Sequence, residues 1–339
     1  MKNAIVIVNY NRKELLAQCL LSLRNAQPCE HAVFVVDNGS ADGSIAMVQN
    51  AFPEVLVIDM GYNAGFCKAN NVGIQTAIDH GAQNIILLNN DTEVDPAFIT
   101  ELVARVDKKD HVEMVAPKIL MYANKSVIDS AGLVITPDGM AINRLMDKTS
   151  SEANDACEVF CPAGAAALFS TRLLNDIKQE GMFFDEEYAY YLEDLDMGWR
   201  ARLRGWKCQY NPRSIVYHHK NATSGGYSKF IAFHTNRNLF YNIIKNYPGC
   251  FFWKAIFLSV IRYPYLLTLS MRGTGVVKRF QKNVSAVDLA CVTLRGFWDV
   301  IKNMRALCRK RRYIQRRRVA QDFSTWFKNF GVGFFASKK

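Results

Sequence analysis

A chain of 339 residues, 50% hydrophobic and 22% charged, is long enough to bury one large core or two modest ones, which excludes disordered, collagen-like and disulfide-stapled classes. Its nine cysteines are odd in number and form no C-x-x-C pair, so neither a disulfide framework nor a zinc site is expected, and the compartment reads as reducing. The formal net charge of +11 is unevenly spread, with 25 Lys+Arg against 28 Asp+Glu up to Met271 and 17 against 3 from Arg272 onward.

Short apolar runs alternate with helical patterns through the first hundred residues, the βαβ signature of a mostly parallel sheet with flanking helices. Strands are predicted at Ala4–Val8, Ala32–Val36, Val55–Ile58 and Ile85–Leu88, with helices at Lys13–Asn25 and Gly65–His80. Ligands of open α/β sheets bind beyond the carboxyl ends of the strands. The informative segments are therefore Asn9-Tyr10-Asn11-Arg12, Asp37-Asn38-Gly39-Ser40, Asp59 to Asn63, and Asn89-Asn90-Asp91. Residues Cys161–Phe169 predict a strand lined by small side chains. The acidic and aromatic stretch from Phe183 to Asp196 follows, leading into a helix through Trp199 to Arg204 that stops at Gly205. Tyr217-His218-His219 and a Ser224-Gly225-Gly226 turn come next.

The last ninety residues differ in kind. Lys254, Arg262 and Pro264 interrupt the apolar stretch from Cys250 to Leu269, so a membrane-spanning helix is not expected there. Ala290, Leu294, Phe297, Trp298, Ile301, Met304 and Cys308 recur at helical spacing and lead into Arg309-Lys310-Arg311-Arg312 and Arg316-Arg317-Arg318. Within residues 285–318 this predicts an amphipathic helix plus a basic cluster, two signals that together attach a chain to an anionic membrane surface. The alternative is that the apolar face packs on the protein's own body. Met1-Lys2-Asn3 runs directly into an apolar run too short for a secretion signal. The acidic body lacks the basic cleft of a nucleic-acid enzyme, and no nucleic-acid partner is expected.

Neither G-x-x-x-x-G-K-[ST] nor G-x-G-x-x-G occurs, so a nucleotide must be held by a metal and a rim of side chains. Asp91, after Ile85–Leu88, stands where a hard divalent cation is shared with a pyrophosphate.

Seven motifs in order, Ala4–Arg12 (AIVIVNYNR), Val35–Ser44 (VVDNGSADGS), Asn63–Gly73 (NAGFCKANNVG), Leu87–Val94 (LLNNDTEV), Tyr191–Arg200 (YLEDLDMGWR), Val216-Tyr217-His218 and Arg237-Asn238, resemble glycosyltransferase family 2 on its rhamnosyltransferase-like branch. The resemblance implies a GT-A fold, an α/β architecture with a mixed, mostly parallel sheet. It also implies a nucleotide-sugar donor, Mg²⁺ or Mn²⁺, and inversion at the anomeric carbon. By it, Asp37 reads the donor base, Asp91 and His218 bind the metal, Asp194 of the Glu193-Asp194 pair is the general base, and Arg237 contacts the diphosphate. Asn9, Asn11, Arg12, Asn38, Asn63, Gly65, Asn70 and Asn90 complete the donor site. Asn89 stands where the family's usual D-x-D has its first carboxylate, which makes Asp91 the principal ligand. Trp199, Tyr188, Tyr190 and Tyr191 read either as sugar platforms or as core.

The expected organisation is a glycosyltransferase domain over residues 1–245, with a nucleotide-binding half at 1–110 and an acceptor half at 111–245, followed by a basic helical membrane-associated region at 246–339. The expected activity is transfer of a sugar, best L-rhamnose from dTDP-L-rhamnose and otherwise a hexose from a UDP donor, to a saccharide acceptor, lipid-linked or part of a lipopolysaccharide. The expected location is the cytoplasmic face of a bacterial inner membrane. Rival readings are an inactive glycan-binding relative and a nucleotidyltransferase, the latter disfavoured because no glycine-rich basic loop follows the first strand.

Overall fold

The computed structural model describes residues 2–219, 228–271, 284–320 and 323–331. The Ser224-Gly225-Gly226 turn lies outside them. Contacts divide the chain into two compact units, Met1–Leu133 with Asn143–Thr223, and Val134–Ile142 with Ser224–Lys339. The division therefore falls near residue 223 and not after 245.

The first unit begins with β1 (Asn3–Asn9), α1 (Lys13–Arg24), β2 (His31–Asp37), α2 (Ser44–Ala51), β3 (Leu56–Asp59), α3 (Phe66–Asp79) and β4 (Asn84–Leu88). Each strand extends its predicted apolar run by no more than a polar residue or two, because the strand-end Asn and Asp side chains find partners at the rim. β5 (Thr92–Val94), α4 (Phe98–Ala104), β6 (Val112–Met121) and β7 (Asn124–Ser130) follow. After a ribbon of β8 (Leu133–Ile135) and β9 (Ala141–Asn143), most of which groups with the second unit, come β10 (Cys157–Val159), β11 (Ala166–Ser170), α5 (Thr171–Ile177), α6 (Glu193–Leu203) and β12 (Lys207–His218). Ten strands form one sheet in the order β10-β12-β6-β11-β4-β1-β2-β3, with β5 on β12 and β7 on β6. β1 is parallel to β2 and β4, and β2 to β3, whereas β11 runs antiparallel between β4 and β6.

The parallel core is apolar on both faces, as a sheet covered by helices must be: Ile5, Val6, Ile7, Phe34, Val36, Ile85 and Ile86 are fully buried. On α3, Gly73 lets the helix lie against this surface, since a Cβ there would meet Val6 Cγ1 at 2.5 Å and Val36 Cγ2 at 2.8 Å. The strand expected at Cys161–Phe169 starts only at Ala166, because Pro162-Ala163-Gly164-Ala165 forms a loop that serves the site.

The second unit is helical: α7 (Lys229–Asn246), α8 (Gly249–Met271), α9 (Ala286–Lys302), α10 (Met304–Arg316) and α11 (Phe323–Phe330). α7 is packed by α9 and α10, which is why it belongs here and not to the glycosyltransferase half expected to reach residue 245. Arg311 donates to the carbonyls of Ile244 and Tyr247, each at 2.7 Å, and Gln315 to that of Asn246 at 2.9 Å. These bonds satisfy carbonyls that the C-terminus of α7 leaves open. The amphipathic helix expected over 285–318 is two helices. They part at Asn303, whose side chain donates to the Tyr241 hydroxyl at 2.7 Å.

The packed reading holds for one face of α9, and the opposite face is open. Inward, Val300 is buried and Phe297 lies 4.9 Å from Phe240 and 5.5 Å from Tyr263, ring to ring. Its two acids pair with bases of α7: Asp288 with Lys229 at 2.9 Å, at the surface, and Asp299 with Arg237 at 3.4 Å. Outward, Val287, Leu294, Trp298 and Ile301 form a helical stripe, each between 58% and 73% exposed. Trp253 and Phe257 on α8 are exposed to a similar degree. Among the described residues no helix is long and apolar enough to cross a membrane.

Candidate active site

The ends of β1, β2 and β3 fall level, with Asn9 beside Asp37 and Asp37 beside Asp59. Their side chains form a network that begins at Asn9, which donates to Asp37 Oδ2 at 3.0 Å and to the Ser40 hydroxyl at 3.2 Å, and accepts from Asn90 at 2.8 Å. Asp37 Oδ1 accepts the Ser40 amide at 2.7 Å. A buried carboxylate so held costs little despite its desolvation. Asn11, in the left-handed region at φ 50°, accepts the Ala41 amide at 2.8 Å, while Arg12 next to it keeps a buried Nε with no hydrogen-bond partner. Asn38 accepts the Ala64 amide at 2.8 Å and donates to Asn63 at 3.0 Å; Asn63 also accepts the Gly65 amide at 3.1 Å. Gly65, at φ 84°, opens α3 with a conformation that favours glycine.

Asn70 bonds back to its own helix, to Phe66 O at 3.0 Å. Its neighbour Asn71, in none of the expected site positions, makes the long-range contact. It donates to Phe184 O at 2.9 Å and accepts the Phe184 amide at 2.7 Å, clamping the loop that leads to the carboxylate pair. That loop carries three left-handed non-glycine residues, Ala189, Tyr191 and Leu192, a strain that persists only where the surroundings enforce it. The enforcement comes from α6: Arg200, buried, pairs with Asp196 at 2.9 Å and donates to Ile177 O at 2.7 Å and Phe183 O at 2.6 Å. Trp199 and Tyr188 are fully buried, which settles them as core; Tyr190 and Tyr191 stay partly open.

Glu193 and Asp194 begin α6. Asp194 Oδ2 accepts the Gly164 amide at 2.9 Å and Oδ1 the Leu195 amide at 2.7 Å. Gly164 is glycine for room, since a Cβ there would stand 3.2 Å from Asp194 Oδ2. The next residue, Ala165, accepts the Asn89 amide at 3.0 Å, so the loop holding Asp194 is bonded to the turn bearing Asp91. Burial raises the Asp194 carboxyl above its usual range. Burial, with the adjacent Asp194 charge, pushes Glu193 up to about 8, and its Oε2 has no hydrogen-bond partner. Both shifts have the same sign, and the adjacent Asp194 charge makes Glu193 the more readily protonated of the two.

Asp91 is buried, and its Oδ1 faces His218 Nε2 at 3.4 Å. His218, the last residue of β12, has Nδ1 2.8 Å from Asp129 Oδ2. Burial pushes the imidazole down, but the bonds from Asp129 and Asp91 outweigh it and hold the group up to about 9. His219 faces away, stacked on Tyr122 with ring centroids 3.7 Å apart. A buried carboxylate oxygen opposite an imidazole nitrogen is a donor set that fits Mg²⁺ or Mn²⁺. Among the described residues no three His, Cys, Asp or Glu side chains group as a metal cage.

Arg237 belongs to the second unit, where it also donates to Asn238 at 2.9 Å and lies 5.1 Å over the Tyr241 ring. Its guanidinium is engaged there by Asp299 and not held open for a diphosphate.

Comparison with known proteins agrees with this geometry. The model of glycosyl transferase family 2 matches residues 4–177, just over half of the chain. The N-acetylglucosaminyl-diphospho-decaprenol L-rhamnosyltransferase of Mycobacterium tuberculosis is 25% identical over 241 residues, 65% of this chain and 77% of the relative. The fold is similar to that of S. aureus TarS 1-349 in complex with UDP-GlcNAc, with a TM-score of 0.57 at 16% identity over 93% of this chain and 91% of that one. It is similar too to the mannosyltransferase PcManGT of Pyrobaculum calidifontis in complex with GDP-Man and Mn²⁺, with a TM-score of 0.53 at 13% identity over 93% and 85%. With its motif order, its mixed sheet and a carboxylate pair bonded through one loop to the Asp91 turn, the chain belongs to glycosyltransferase family 2.

Proposed function

We propose that the protein is an inverting glycosyltransferase that moves L-rhamnose from dTDP-L-rhamnose to a lipid-linked saccharide during assembly of a bacterial surface polysaccharide or lipopolysaccharide, at the cytoplasmic face of the inner membrane. The observation that carries the chemistry is the Asp194 carboxylate. It is fixed by two amides, raised by burial, and tied through Gly164-Ala165 to the Asp91 turn. Asp194 takes the acceptor hydroxyl's proton as that oxygen bonds to the anomeric carbon, and the bond from that carbon to the nucleoside diphosphate breaks on the opposite face. A divalent ion held by Asp91 and His218 supplies neutralisation of the departing diphosphate. The Asn9, Asp37, Asn38 and Asn63 network shapes the nucleoside end, and neutral Glu193 keeps a second negative charge away from the base.

The rhamnosyl donor is favoured by the Mycobacterium tuberculosis relative, whose name also supplies the lipid-linked acceptor class. A UDP-hexose donor is the second reading, favoured by the likeness to TarS with UDP-GlcNAc. The membrane reading rests on the outward apolar stripe of α9 and the Arg-rich α10, whose excess of basic side chains suits anionic headgroups.

A panel of nucleotide sugars with Mn²⁺, read by release of nucleoside diphosphate and by the anomeric configuration of the product, tests the chemistry. Release with dTDP-L-rhamnose and inversion is the expected result. Release of a nucleoside monophosphate, retention of configuration, or full activity in excess chelator overturns it. Sedimentation with anionic and neutral vesicles at low and high salt tests the location, with salt-sensitive binding to anionic vesicles expected.

A further inference from the structure

Asp129 lies in none of the sequence motifs and on a strand that carries no other site residue. β7 pairs with β6, and β6 with β12, where Met121 is opposite His218. The β6–β7 register shifts between Ser130 and Ile128, so Asp129 is the extra residue of an irregularity, and its carboxylate, 4% exposed, lies against the ring of His218. A buried carboxylate on a strand is costly unless a partner takes up its charge, and the His218 imidazole lies within hydrogen-bond distance of it.

We infer that Asp129 is a positioning residue for the metal site, fixing the tautomer and the ring orientation of His218 so that Nε2 is presented beside Asp91. This rests on the reading of Asp91 and His218 as metal ligands. A neutral imidazole has one donor and one acceptor nitrogen. When the ring binds a metal in its neutral form, Asp129, at 2.8 Å from Nδ1, would keep the proton on Nδ1 and leave Nε2, 3.4 Å from Asp91, to the ion. Asp129 is not itself a ligand: its oxygen is bonded to the far side of the ring, and no three such side chains group together among the described residues. The carboxylate also stops the ring from rotating about its Cβ–Cγ bond, which would exchange nitrogen for carbon at the ion.

The test uses the full chain and Mn²⁺ alone, titrated by the electron paramagnetic resonance signal of the free ion. D129A is expected to bind Mn²⁺ about 10- to 100-fold more weakly than the parent chain. D129N, whose amide oxygen still accepts from Nδ1–H, is expected to stay within a few-fold. The double variant H218A/D129A is expected to bind no more weakly than H218A, because Asp129 acts through the ring. In the Mg²⁺-loaded protein, the ¹⁵N-imidazole spectrum should show His218 with its proton on Nδ1 in the parent chain and in D129N, and a mixture of tautomers in D129A.

Mn²⁺ affinity of D129A equal to that of the parent overturns the inference. So does a D129N as weak as D129A, or a double variant weaker than H218A, since either makes Asp129 a direct ligand. If D129A does not fold, D129S and D129N carry the same comparison. A parent chain that binds no Mn²⁺ fails at the prior reading, and the tautomer spectrum of the metal-free chain above pH 9 then decides the Asp129 contact alone.

Discussion

The two units of this chain are held together by different physics. In the first, function sits where strands end, and its polar side chains are buried only because each is hydrogen-bonded: Asn9 to Asp37, Asn38 to Asn63, His218 to Asp129, Asp194 to the Gly164 amide. Such networks are costly when one member is lost, since the remaining group is left desolvated and unpaired. In the second, α9 and α10 use apolar contacts and ion pairs toward α7 and leave Leu294, Trp298 and Ile301 open. Substitutions in the first unit should therefore damage chemistry, and surface substitutions in the second should leave chemistry intact.

The largest expected effect is on the base. Asp194→Asn keeps the shape and can still accept one of the two backbone amides but takes no proton, so turnover should fall by about 10² or more while donor affinity holds. A turnover near that of the parent chain transfers the role to Glu193. Gly164→Ala sharpens the same point, because its Cβ enters within 3.2 Å of Asp194 Oδ2. Displacing the base by a few tenths of an ångström should lower kcat by about tenfold, with the donor KM unchanged.

Glu193 tests the cost of the network. Its carboxyl is raised from 4.5 to about 8, so folding favours the protonated form. That stabilisation is complete below the unfolded value and is lost as pH rises through about 8. Thermal unfolding of the parent chain should accordingly come at lower temperature at pH 9 than at pH 6. Glu193→Gln should flatten that slope; an unchanged slope places the titration elsewhere. The smallest effect on chemistry is expected from Trp298→Glu with Ile301→Glu on the outer stripe of α9, which should abolish vesicle binding and leave transfer to a short soluble acceptor within about twofold. Loss of transfer in solution would break the contrast between the units.

What was legible in the sequence follows the same division. Strands β1 to β4 and helices α1 and α3 were readable because apolar runs and period-3.6 spacing are local. Asp91, Asp194 and His218 could be singled out because they stand at the edges of such elements, just after β4, at the start of α6 and at the end of β12. Gly164 as the holder of Asp194 was not, since a main-chain amide has no residue signature and the contact spans 30 positions. Asn71 was passed over for Asn70 because one helical step, about 100° around the axis, decides which of two identical amides faces the loop. Asp129 was invisible for a third reason: strand pairing, not sequence distance, brings β7 to the end of β12. In the second unit, spacing revealed that α9 has an apolar face but not that Phe297 and Trp298, adjacent in sequence, point to opposite destinations.

The pairing of Asp288 with Lys229 and of Asp299 with Arg237 also bears on how attachment would be controlled. Apart from those two acids, the charged side chains of α9 and α10 are all arginine or lysine. Attraction of such a surface to acidic headgroups weakens as counterions gather around it. The salt around this face and the proportion of acidic lipid beneath it would therefore act as a dial.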